Sequence, residues 1–96
     1  MIQQLTLTTE SPERVKPLLE TAIQNELKLL DHGIARTRER LTAFEKQFGM
    51  TTDEFARRFD GKDLKETLDF LDWWGEIKML RLLEDKHRAL AGVRIN

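Results

Sequence analysis

The chain has 96 residues, 40% hydrophobic and 34% charged, with 16 basic against 17 acidic side chains. One small domain with a modest core is expected at that length, and so even a balance argues against whole-domain nucleic-acid binding through phosphate neutralisation. The absence of cysteine excludes disulfides, thiolate nucleophiles and Cys-ligated zinc, and it fits a reducing compartment. No run approaches the roughly 18–20 apolar residues of a membrane span. Met1-Ile2-Gln3-Gln4-Leu5 lacks both the basic flank and the apolar run of a signal peptide. The cytoplasm is therefore the expected location, and other proteins are the expected partners.

Residues 1–10 are expected to be an extended or weakly ordered arm, since Leu5-Thr6-Leu7-Thr8 alternates apolar with polar and gives a weak strand signal. Ser11-Pro12-Glu13 reads as the N-cap and first positions of a helix spanning 12–48. Pro17 predicts a kink, or a start nearer Lys16, because its ring opposes the carbonyl four residues back. Ile23, Leu27, Leu30, Ile34, Thr37, Leu41, Phe44 and Phe48 then recur at 4-3-4-3 spacing, a coiled-coil-like seam. Gly33 lies inside that seam, where it predicts close approach of another backbone, and Gly49 has the position of a helix stop.

Thr51 or Thr52 can cap a short helix over 52–59 whose apolar contacts are Phe55 and Phe59, broken by Asp60-Gly61. Asp63-Leu64-Lys65-Glu66 resembles a capping box for a second long helix over 63–91. Its apolar positions include Leu64, Leu68, Leu71, Trp74, Ile77, Leu80, Leu83 and Leu90, with Met79 and Leu82 broadening the stripe. The expected fold is all-α: an antiparallel hairpin of two long helices with a short helix between them. Stripes this broad predict completion by a second copy.

Catalytic templates are absent from the sequence: it has no P-loop, no G-x-G-x-x-G, no nucleophile elbow and no H-E-x-x-H pair. No enzyme activity and no cofactor are expected. Glu84-x-x-His87 has the spacing of a di-iron carboxylate bundle, but a second E-x-x-H is missing and nothing selects Glu26 or Asp31 as further ligands. Carboxylates such as Asp69, Asp72 and Glu76 adjoin at helical spacing and read as a solvated acidic face. Arg36, Arg38 and Arg40, with Arg57-Arg58, read as a salt-bridged helix surface.

The segment that asks for a partner is Asp69-Phe70-Leu71-Asp72-Trp73-Trp74-Gly75-Glu76-Ile77. Adjacent tryptophans lie about 100° apart around a helix, so one seam cannot take both. If Trp74 packs inward with Leu71 and Ile77, Trp73 lies on the flank with Phe70; the opposite assignment exposes Trp74. The flanking ring either covers the short helix carrying Phe55 and Phe59 or anchors a partner, which the acids Asp69, Asp72 and Glu76 would steer if it is basic. Gly75 would let another helix or loop come close.

Leu27-Lys28-Leu29-Leu30, Gly33-Ile34-Ala35-Arg36-Thr37-Arg38, Phe44-Glu45-Lys46 and Phe48-Gly49-Met50-Thr51, followed by Phe55, Arg58-Phe59, Asp69-Phe70 and Trp73-Trp74-Gly75-Glu76, resemble a group of small prokaryotic helical proteins associated with toxin–antitoxin gene pairs. The likeness covers roughly residues 25–77, and the chain departs from the group at Lys65, where the group carries a loop glycine. The resemblance implies an antitoxin-like protein that binds and neutralises a toxin. It would do so through Asp69, Phe70, Asp72, Trp73, Trp74 and Glu76. The alternatives are a homo-oligomeric scaffold or regulatory subunit, and a small metal-binding bundle.

Overall fold

The computed structural model describes residues 2–95, so Met1 of the expected arm lies outside the described residues. Three helices follow in order: α1 (Pro12–Phe48), α2 (Thr52–Asp60) and α3 (Leu68–Ala91), with no strand among the described residues. Residues 2–9 carry no regular structure and are exposed, because no second strand is there to take the backbone bonds of Leu5–Thr8.

α1 begins at Pro12, but Ser11 caps it differently from the expectation. Its hydroxyl makes no capping bond; its carbonyl accepts from the amides of Arg14 at 3.1 Å and Val15 at 3.0 Å. Pro17 does not delay the start to Lys16, since the helix runs through it from Pro12. So close to the helix start, the proline removes a single amide donor, and the bond it forfeits would have gone to Glu13, which is exposed to water. At the other end Gly49 takes the left-handed conformation, with φ 65°, and its amide closes onto the Glu45 carbonyl at 2.9 Å.

α2 is capped by Thr51, whose hydroxyl accepts from the Glu54 amide at 3.1 Å. The Glu45 carboxylate reaches across from α1 to accept from the Thr52 amide at 2.6 Å, so α1 supplies a second anchor for the first turn of α2. The start of α3 departs from the capping-box expectation. Asp63 is consumed in closing α2, its amide bonding the Arg58 carbonyl at 2.8 Å. Thr67 is the cap instead, accepting from the Phe70 amide at 3.1 Å. Residues 63–67 are therefore a loop, and α3 starts five positions later than the sequence suggests.

α1 and α3 lie antiparallel, as the pairs Asp31–His87 at 2.9 Å, Arg38–Glu84 at 3.1 Å and Arg40–Glu76 at 2.8 Å require. Leu30, Thr37 and Leu41 are the buried residues of the α1 seam. On α3 the buried residues are Trp73 and Ile77. Leu68 and Leu71, assigned inward by periodicity, are 82% and 45% exposed. The inward line is Phe70, Trp73, Ile77 and Leu80, so the helix is rotated from the expected phase.

The core sits at the loop end of the hairpin. Leu41, Phe55, Trp73 and Ile77 form its centre, with Phe44, Phe48, Phe59, Phe70 and Trp74 packed around them. All seven aromatic residues of the chain are in that cluster. The molecule measures 57 × 26 × 18 Å. At about 1.5 Å per residue, α1 is about 55 Å long and α3 about 36 Å. His87 already meets Asp31 near the end of α3, so the first turns of α1 run on past its partner.

The two mid-helix glycines differ. A Cβ on Gly33 would lie 3.2 Å from the Leu83 Cδ1, so the bare backbone admits a neighbouring side chain, whereas a Cβ on Gly75 would meet nothing within 4 Å. Both substitutions relieve a glycine helix penalty of about 1 kcal/mol, but only one pays it back in crowding. Gly75→Ala is expected to raise monomer stability by about 0.5–1 kcal/mol, and Gly33→Ala to gain clearly less. Thermal unfolding at low concentration compares the two; an equal gain at both sites would contradict the close Gly33–Leu83 packing.

Candidate functional site

The six residues singled out in the sequence do not form one patch. Trp73 is fully buried. Its ring stacks on Phe55 at 4.0 Å between centroids and 1° between planes, and on Phe44 at 5.5 Å and 9°. Its indole N–H donates to the Thr52 hydroxyl at 3.2 Å. With no exposed surface, Trp73 cannot contact a partner, which corrects its place in the expected set. Phe70 is also mainly a core residue, packed at 5.0 Å from Phe48 and 5.3 Å from Phe55.

Trp74 is the ring left at the surface, partly exposed beside Phe59 at 5.6 Å, with the Lys78 ammonium 5.6 Å above it. It therefore does cover the short helix, and it also floors an open cleft of about 330 Å³ lined by Phe59, Asp60, Lys62, Leu64, Glu66 and Trp74. Asp69 is exposed in the first turn of α3, where the helix dipole favours a carboxylate. Asp72 and Glu76 line a different depression, between α1 and α3, together with Arg40, Ala43, Leu71 and Gly75. Glu76 is held there by Arg40, while Asp72 is exposed.

The cleft is built by the way α2 ends. The Gly61 amide bonds the Arg57 carbonyl at 3.1 Å, the Lys62 amide bonds Phe59 at 3.1 Å and the Asp63 amide bonds Arg58 at 2.8 Å. This 6→1 closure needs a left-handed residue, and the residue is Lys62, with φ 62°, not the adjacent Gly61 with φ −76°. A left-handed non-glycine residue costs about 1–2 kcal/mol, and such strain concentrates where it serves a site. Lys62→Gly is expected to gain about 0.5–1 kcal/mol in a thermal melt, the relieved strain less the added entropy of the unfolded chain. A loss of stability there would refute the left-handed closure.

Phe59, Asp60, Lys62, Leu64 and Glu66 line the cleft but do not stand out in the sequence as partner-binding residues. The available signal was the Asp60-Gly61 break, read as the end of a helix and not as the wall of a cleft. The residues of the metal alternative are engaged otherwise: Glu84 with Arg38 at 3.1 Å and His87 with Asp31 at 2.9 Å. Among the described residues no three His, Asp or Glu side chains converge to hold an ion. Of the arginine clusters, Arg38 and Arg40 pair across the hairpin, and Arg57 and Arg58 pair with Glu54. Among the described residues no helix is long and apolar enough to cross a membrane. Compared with protein-family models, curated proteins and solved structures, the chain matches none of them.

Proposed function

We propose that this chain is a non-enzymatic protein-binding module of the antitoxin type, and that the Trp74 cleft is where it grips a partner toxin in the cytoplasm. The observation that carries this reading is a partly exposed tryptophan that floors the cleft with Phe59 and Leu64, where Asp60 and Glu66 stand at the rim with Lys62, and Lys78 lies over the ring. Tryptophan is among the residues most enriched at interface hot spots. A rim carrying charges of both signs sets the register and specificity of a partner more than its raw affinity. Within that rim, Asp60 and Glu66 are the groups that would meet the basic surface on which a nuclease toxin holds RNA.

The test is co-expression with the product of the adjacent reading frame. The two are expected to co-purify, and Trp74→Ala is expected to abolish co-purification while leaving the helical circular-dichroism spectrum intact. Absence of a complex with the wild-type chain, or an unchanged complex with Trp74→Ala, overturns the reading. A homo-oligomeric scaffold is a second reading, favoured by the apolar line that Leu68, Leu71, Met79 and Leu82 expose along α3.

A further inference from the structure

The apolar line on α3 is not part of the Trp74 cleft. Leu68, Leu71, Met79 and Leu82 are 82%, 45%, 46% and 48% exposed, and with Gly75 they recur at spacings of 3, 4, 4 and 3. That spacing makes one line along the helix, separate from the buried line through Trp73 and Ile77. Gly75 sits at its middle with open space over its backbone, unlike Gly33, whose space Leu83 occupies. The adjoining shallow depression, about 510 Å³, sets Ala43 of α1 beside Gly75 and Leu71, with Arg40, Gln47, Asp72 and Glu76 as its polar lining.

Charge selects the occupant. Glu76, Glu84 and Asp85 are neutralised within the chain by Arg40, Arg38 and Arg88. What remains on α3 is sorted by position: Asp69 and Asp72 in its first turns, and Lys78, Arg81 and Lys86 from its middle onward, none of them ion-paired among the described residues. A helix negative at one end and positive at the other is complementary to itself reversed. It repels a parallel copy, and reversal also sets the two helix dipoles in opposition, head to tail.

We infer that a second copy of this chain docks on the α3 line in antiparallel orientation, about a two-fold axis near residues 77–79, completing a four-helix bundle. Met79 of each copy then packs onto the bare backbone of Gly75 in the other. Asp69 and Asp72 of each come beside Arg81 and Lys86 of the other. The contact is isologous, as a two-fold dimer requires. This inference does not rest on the Trp74 cleft: Trp74→Ala is expected to leave the dimer intact.

The chain has no cysteine, so single-cysteine variants report the geometry cleanly. Met79→Cys is expected to be joined into a dimer by a short bis-maleimide, and Leu68→Cys not, because reversal sets the two copies of that position on the order of 25 Å apart. Leu82→Glu and Gly75→Leu, both at exposed sites, are expected to weaken the dimer at least about tenfold in sedimentation equilibrium. Asp72→Lys weakens it similarly, and adding Lys86→Asp restores it. A wild-type chain that sediments as a monomer at its highest soluble concentration overturns the inference. So does cross-linking at Leu68→Cys as efficient as at Met79→Cys, or a dimer indifferent to Leu82→Glu and Gly75→Leu.

Discussion

Replacing Trp73 with alanine is expected to destabilise the chain by about 3–5 kcal/mol, the range for removing a fully buried large aromatic. Total stability for 96 residues is about 5–14 kcal/mol at the usual 0.05–0.15 kcal/mol per residue, so this single change removes a large part of it. Three losses combine. The cavity opens at the centre of the aromatic cluster, the parallel stacks on Phe55 and Phe44 vanish, and the Thr52 hydroxyl loses its donor. Trp73→Phe separates the terms, since it keeps a ring in the stack and deletes the indole N–H, at an expected cost nearer 1–3 kcal/mol. Urea unfolding followed by circular dichroism measures both. A Trp73→Ala cost below about 1 kcal/mol is incompatible with the ring's position in the core.

The second large effect falls on the next residue and on a different property. Trp74→Ala is expected to lower affinity for the proposed toxin by about 30-fold or more, the equivalent of the 2 kcal/mol that marks an interface anchor. Its stability cost should be clearly smaller than that of Trp73→Ala, because Trp74 caps Phe59 from the surface side and keeps part of its ring in water. Titration of the purified partner against both forms, with unfolding curves in parallel, reads affinity and stability separately. Equal stability losses at the two positions would show that the tryptophans share one structural role. On the proposed reading, the two adjacent side chains have opposite assignments: Trp73 serves folding and Trp74 serves recognition.

Which tryptophan takes which role was not legible in the sequence, for a physical reason. α3 is apolar on two faces, so Leu68, Leu71 and Trp74 fit helical periodicity as well as Phe70, Trp73 and Ile77 do. What decides the rotation is tertiary: the Thr52 hydroxyl offers a partner to a buried indole N–H, and Phe55 and Phe44 offer parallel faces. The α1 seam was legible because its 4-3-4-3 spacing is unbroken from Ile23 to Phe48, and the buried Leu30, Thr37 and Leu41 all lie on it. The left-handed Gly49 and the Thr51 cap carry local chemistry that depends on nothing distant. The start of α3 was misplaced because Asp63, a good capping residue in isolation, is already committed to the end of α2. The cleft followed from that same commitment, since the loop it creates carries Leu64 and Glu66 to the rim.

Gathering every aromatic ring at the loop end also divides the molecule's resistance to opening. Around Trp73, backbone amides are shielded by the aromatic cluster, so they are expected to exchange with solvent only on global unfolding. The first turns of α1, beyond the end of α3, have no such cover and can fray without disturbing it. Cleavage or fusion at the amino-terminal end would therefore leave the Trp74 cleft in working order, and the chain can be tethered, tagged or immobilised from that end.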